Sequence, residues 1–254
     1  CGLSFLIMTS SDRYIISLFE PMASVGIYNQ IYNLGQISIA SLISVYFNVI
    51  NPTLHKELEF NLKKYNNFIR EYIYLYIYSF LPLTIYLALF SKQMAFLLLG
   101  EKFQVGYQMI PYIIISYFIF GLIMFTEYKF KYIAKYNVLI RGLFYSIIIN
   151  IILNFIFIPL YGYFWAAVTT LISYGILFIY YYYWSSMNFI NTSLFKEMRL
   201  FVLILIMQIS ADLFIRKVML LELNNWQTVL EGALFYGICL CYLLLKRKSH
   251  PIQI

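Results

Sequence analysis

The chain has 254 residues, 62% of them hydrophobic and only 11% charged, with a mean hydropathy of +0.76. A soluble domain carries about 25% charged residues, so this composition excludes the water-soluble classes and points to a polytopic membrane protein. The net charge of +7 would suit a nucleic-acid binder, but the basic residues gather in alternate connections between apolar runs, so no nucleic-acid partner is expected.

A bilayer core about 30 Å thick takes roughly 20 residues of helix at 1.5 Å rise each. Runs of that kind recur over about 1–20, 26–50, 72–91, 107–127, 138–159, 163–184, 199–217 and 227–246. Helices are predicted because in lipid every backbone N–H and C=O must be satisfied within its own segment. The predicted fold is an all-α membrane protein with about eight transmembrane helices.

The first run begins at Cys1 with no basic segment before it, which predicts an internal start and a missing upstream part. Within it, "SSDRYIISLF" sets Asp12 beside Arg13, beyond the midpoint of the run. A charge at a helix centre costs about 2.5–3.5 kcal/mol on insertion scales, so such residues face a bundle interior or a wet cavity. Neighbouring helix positions lie about 100° apart, which predicts separate partners for the two rather than a mutual ion pair.

"FEPMASVG" separates the first run from the second, where Asn29, Asn33, Gln36, Ser44 and Asn48 recur near helical spacing. This polar stripe suits a cavity wall beside the charges, or hydrogen bonding between packed helices. "NPTLHKELEFNLKKYNNFIREY" (51–72) is predicted as the loop before the third run, "GEKFQVG" (100–106) precedes the fourth, and "EYKFKYIAKYN" (127–137) the fifth. "IPLYGY" (158–163) predicts a sharp turn into the sixth run, which ends in "FIYYYYW", read as an interfacial aromatic belt. The 26 Tyr and 23 Phe as a whole suit helix ends set in two membrane interfaces. In the seventh run Asp212 precedes Arg216 and Lys217 and suits a local ion pair, while Glu20 and Glu231 lie near predicted outer ends.

One set of connections carries Lys56, Lys63, Lys64, Arg70, Lys129, Lys131, Lys135, Arg141, Lys196, Arg199, Lys246, Arg247 and Lys248; the other carries Lys92, Lys102, Arg216 and Lys217. That asymmetry assigns the first set, with the C-terminus, to the cytoplasm. Cys239 and Cys241 are two apart on a predicted helix and suit apolar packing, while His55 and His250 stand in polar loops far from any second ligand. No phosphate loop, metal cluster or nucleophilic triad has supporting spacing, so no catalytic residue and no cofactor is expected.

"SSDRYIISLFEPMASVGIYNQIYNLGQI" (10–37) resembles bacterial polysaccharide flippases, the Wzx-like exporters of O-antigen and capsule units. "NIILNFIFIPLYGYFWAAVTTLISY" (150–174) is similar to the same family's later hairpin, an Asn-x-x-x-Asn helix ending at Ile-Pro before Tyr-Gly. The resemblance implies the multidrug/oligosaccharidyl-lipid/polysaccharide exporter superfamily, with the eight spans as the C-terminal bundle of a 14-helix exporter. Residues 1–184 would then be the six-helix transport bundle and 185–254 two additional helices with a cytoplasmic tail. It implies a flippase in the bacterial inner membrane that moves an undecaprenyl-diphosphate-linked oligosaccharide between leaflets by alternating access, with proton or sodium coupling and a polysaccharide polymerase as a partner. On that reading Arg13 takes the diphosphate or an anionic sugar, Asp12 tunes its field or carries a coupling cation, and Asn29, Asn33 and Gln36 line the wall. The alternatives are a multidrug cation antiporter of the same superfamily and a membrane-embedded polysaccharide polymerase or ligase.

Overall fold

The computed structural model describes residues 2–60 and 62–185, together with six residues between 230 and 241. Among the described residues the chain forms α1 (Gly2–Phe19), α2 (Met22–Gly35), a π-helical turn (Gln36–Ala40), α3 (Ser41–Phe60), α4 (Leu62–Leu89), α5 (Ser91–Leu98), α6 (Glu101–Gln104), a 3₁₀ turn (Val105–Met109), α7 (Ile110–Tyr132), α8 (Tyr136–Tyr161) and α9 (Phe164–Ser185). There is no strand among them.

Five of these helical stretches are long and apolar enough to cross a membrane: Met22–Leu54, Ile69–Leu89, Glu101–Tyr132, Tyr136–Tyr161 and Phe164–Ser185. The predicted first span, α1, is not among them, because Asp12 and Arg13 lower its hydropathy. It nonetheless packs along α2 and α8. The predicted spans at 199–217 and 227–246, Asp212 and Glu231 with their neighbours, and the 185–254 unit lie almost wholly outside the described residues.

α8 shows most directly why the chain belongs in lipid. It buries Gly142, Ser146, Asn150, Asn154 and Ile158 and exposes Ile140, Phe144, Ile148, Ile152 and Ile156. Polar residues inside and apolar ones outside reverse the pattern of a water-soluble helix, as expected where the solvent is hydrocarbon. With apolar contact no longer favouring the interior over the surroundings, close packing and interhelical hydrogen bonds hold such helices together. Tyr46 donates to the Tyr72 carbonyl at 2.6 Å, Tyr76 to Phe118 at 2.9 Å, Ser146 to Ser173 at 2.8 Å, Tyr181 to Leu139 at 2.8 Å, and Lys129 to Ser185 at 2.6 Å.

The structure corrects three predicted breaks. The 51–72 stretch is helical through Phe60 and again from Leu62, with Pro52 inside α3. Its charges mark the exit from the apolar layer, but it contains no glycine, and Glu, Lys and Leu are good helix formers. The predicted break before the fourth run shrinks to Leu99 and Gly100, which are extended, while Glu101–Met109 is helical and runs into α7; the 127–137 loop shrinks to the link between Tyr132 and Tyr136. The turn at 158–163 is as sharp as predicted: Gly162 takes φ +85° and ψ 175°, a conformation nearly closed to other residues, and α9 starts two residues later.

The aromatic residues are not confined to the interfaces. Tyr46, Phe47, Tyr76, Phe80 and Phe125 form one interior cluster between α3, α4 and α7, with the Tyr76 and Phe80 rings stacked at 4.7 Å and the Phe47 and Phe125 rings tilted 57° to each other at 4.8 Å. In the "YYYYW" belt Tyr181 is fully buried while Tyr183 is 78% exposed, so helical phase splits the run between core and surface.

Candidate functional site

α1, α2, α8 and α9 converge on one carboxylate. Asp12 is fully buried. It accepts hydrogen bonds from the Tyr28 hydroxyl at 2.7 Å, the Asn154 amide at 2.6 Å and the Thr170 hydroxyl at 2.8 Å. The four residues stand six or seven positions from Phe19, Met22, Tyr161 and Phe164, the helix ends on the Gly162 side. At 1.5 Å per residue that is a common depth of about 10 Å, well inside the helical layer.

Asn154 uses all of its polar atoms. One amide hydrogen goes to Asp12 and the other to Asn150 Oδ1 at 3.2 Å, while its carbonyl accepts from the Thr169 hydroxyl. Asn150 is also fully buried; its Oδ1 lies 3.4 Å from the Ser11 hydroxyl, and its Nδ2 has no partner within the described protein. A buried carboxylate surrounded by neutral hydroxyl and amide groups can hold its charge with these donors, or exchange it for a bound proton or small cation.

Arg13 looks elsewhere, as the 100° step along α1 requires. Its Cζ lies 5.3 Å from the centre of the Tyr32 ring, and its Nε is buried with no hydrogen-bond partner. The ring is itself packed against Tyr28 at 5.9 Å and Tyr117 at 5.7 Å. Such a cation over an aromatic face is worth about 0.5–2 kcal/mol, and the half-buried side chain, with its Nε unbonded, keeps a donor for a further acceptor.

The polar stripe of the second helix does not meet Asp12. Asn29 and Asn33 are half-buried, and Gln36, Ser44 and Asn48 are exposed, whereas Tyr28, Ile31 and Tyr32 face inward. The structure therefore brings Asp12 together with Tyr28, Asn150, Asn154, Thr169 and Thr170, and sets Asn29, Asn33 and Gln36 on an outward-facing side of the same helix. Sequence reasoning named none of Asp12's three donors. The usable signal was Asn150 and Asn154, two amides four residues apart in an apolar run, which had to face something polar. Among the described residues no group of three His, Cys, Asp or Glu side chains could hold a metal ion.

Residues 2–108 match the model of a protein family described as polysaccharide biosynthesis protein. That stretch is similar to polysaccharide biosynthesis proteins and carries Asp12, Arg13, Tyr28, Asn29, Asn33 and Gln36, while Asn154 and Thr170 lie beyond it. No curated protein and no solved structure matches the chain.

Proposed function

We propose that the protein is a flippase that carries an undecaprenyl-diphosphate-linked oligosaccharide, an O-antigen or capsule repeat unit, from the cytoplasmic to the periplasmic leaflet of a bacterial inner membrane. It would act as the C-terminal bundle of a two-bundle exporter, by alternating access and without making or breaking a covalent bond. The observation that carries this reading is the division of labour between two adjacent charges in a segment similar to polysaccharide biosynthesis proteins. Asp12 is enclosed by three neutral donors, and Arg13 lies over the Tyr32 ring with a buried, unbonded Nε and no salt bridge among the described residues.

Each residue then has a role that follows from its chemistry. Arg13 grips the diphosphate by charge-assisted, bidentate hydrogen bonds, for which the planar guanidinium is better suited than an ammonium. Asn29, Asn33 and Gln36 offer amides to sugar hydroxyls along the outward side of α2 and the π-turn that follows it. Asp12, with Tyr28, Asn154 and Thr170, takes up and releases the coupling proton or sodium ion. The basic ends of α3, α4 and α7 lie in the cytoplasm, and a polysaccharide polymerase receives the flipped unit.

The test is complementation of surface polysaccharide by the full-length protein in a strain lacking its own copy, with membrane levels followed by immunoblot. Arg13→Ala at normal membrane level should abolish the polymer, and Arg13→Lys should retain part of it. Undiminished polysaccharide from Arg13→Ala would overturn the assignment.

A further inference from the structure

The helix that begins at Met22 contains one residue too many. Its inward seam, one buried residue per turn, runs Ser24, Tyr28, Ile31, Gly35, Ile39, Ile43, Phe47, Ile50 and Leu54, with Tyr32 and Leu34 buried beside it: eight turns spread over thirty residues. Eight turns of a regular α-helix use about 29 residues. The excess is absorbed at Gln36–Ala40, where the Ser41 N–H bonds the Gln36 carbonyl five residues back. Without that insertion, either Tyr28 or Phe47 would turn away from the core.

The π-turn leaves local gaps that serines close. In a regular helix the Ser41 N–H would serve the Ile37 carbonyl; here the Ser41 hydroxyl donates to it instead, at 2.5 Å. Ser38 donates to Gly35 at 3.2 Å and Ser44 to Ala40 at 2.9 Å. Hydroxyls bonded back onto the preceding turn bend helices, and π-turns are among the recognised sites of kinks.

The two arms on either side of the turn are held by different parts of the molecule. The arm Met22–Gly35 is held by Tyr28 on Asp12 and by Gly106, where an added Cβ would come within 2.8 Å of Ile27 and Ile31. The arm Ser41–Leu54 is held by Tyr46 on the Tyr72 carbonyl and by the Phe47–Phe125 contact. Between them Gly35 rests directly on α7, where a Cβ would meet Ile113 Cγ2 at 2.6 Å, while Gln36, Ile37 and Ser41 are exposed.

We propose that Met22–Leu54 is a two-arm lever that pivots at the π-turn 36–40 against α7, with the Tyr28–Asp12 hydrogen bond as the latch that fixes its first arm. A change at Asp12 reaches α2 through that bond, and the serine-patched turn lets the first arm swing while the second stays in the aromatic cluster. The lever stands on packing alone and does not require the transport reading; if Asp12 exchanges a coupling ion, it converts that event into movement.

The test measures spin-label distances in the full-length protein, freed of native cysteines and held in lipid nanodiscs. One label pair joins Met22 to Ile156, reporting the first arm against α8; the other joins Val49 to Ile140, reporting the second. All four positions are exposed. Tyr28→Phe and Asp12→Ala, each of which removes the latch bond, should broaden the first distance or shift it to a second population and leave the other distance unchanged. Removing Ile37 in the Tyr28→Phe background should restore the narrow distribution, because it turns the hinge back into α-helix while keeping both faces in register. If Tyr28→Phe and Asp12→Ala leave the first distance unchanged, or broaden both distances alike, the lever is wrong.

Discussion

Asn154 hands one amide hydrogen to Asp12 at 2.6 Å and the other to Asn150 at 3.2 Å, so a single side chain on α8 fixes both the carboxylate of α1 and the amide one turn below it. Replacing Asn154 by Leu therefore removes a donor from Asp12 and an acceptor from Thr169 in one step. Lost bonds that strand buried polar groups cost about 1–3 kcal/mol each. Asn154→Leu should lower stability by about 2–5 kcal/mol, read as an earlier thermal unfolding transition in detergent.

Asp12→Ala and Asp12→Asn should separate. Alanine leaves three donors facing a void, whereas asparagine keeps the shape and one acceptor for them. Thermal unfolding should drop clearly for alanine, by roughly 3 kcal/mol, and by less than half of that for asparagine. Equal losses for the two would show that the charge itself holds the four helices together.

Gly121 lies where α7 meets α4, and a Cβ there would run into the Tyr76 hydroxyl, which donates to the Phe118 carbonyl. Gly121→Ala should cost about 1–3 kcal/mol by pushing Tyr76 out of its stack with Phe80 and Phe118. The double variant Gly121→Ala with Tyr76→Phe should recover part of that loss, since the obstructing oxygen is gone.

At Gly162 a side chain meets backbone strain. With φ at +85° and ψ at 175°, an alanine would cost about 1–3 kcal/mol and loosen the α8–α9 turn. Proteolysis at the turn, followed by gel electrophoresis, should be faster in Gly162→Ala than in the parent protein.

The orientation proposed from the basic residues predicts opposite labelling at the two ends of α8. In a cysteine-free background, a cysteine at Ala134 should react with a membrane-impermeant maleimide only after the inner membrane is opened. One at Tyr161 should react in intact spheroplasts; both positions are exposed. The reverse pattern would invert the topology.

Much of this architecture was legible in residue order. Hydropathy located α8 and α9 within a few residues, and the turn at Gly162 was fixed by a proline followed by a glycine. The ends of α3 and α7 were not, because charge records where a helix leaves the lipid and not where it stops. For Asp12, the cost of burying a charge already required partners. Which partners could not be read, since Asn154 and Thr170 are 142 and 158 positions away and only folding brings them near. Helical phase explains the stripe: Tyr28 and Asn29 are adjacent, and that single step separates the residue bonded to Asp12 from the one on the outward side of the helix.

Those same separations have a consequence for how the chain is made. A ribosome adding about 5–20 residues per second would deliver Asn154 some 7–30 s after Asp12. Through that interval α1 carries two charges with no finished binding site, and a helix of its modest hydropathy has little reason to stay in lipid unaided. The α8–α9 hairpin therefore supplies the last of Asp12's partners to be made, and a chain ended before residue 170 should hold α1 in the membrane less firmly than one that includes the hairpin.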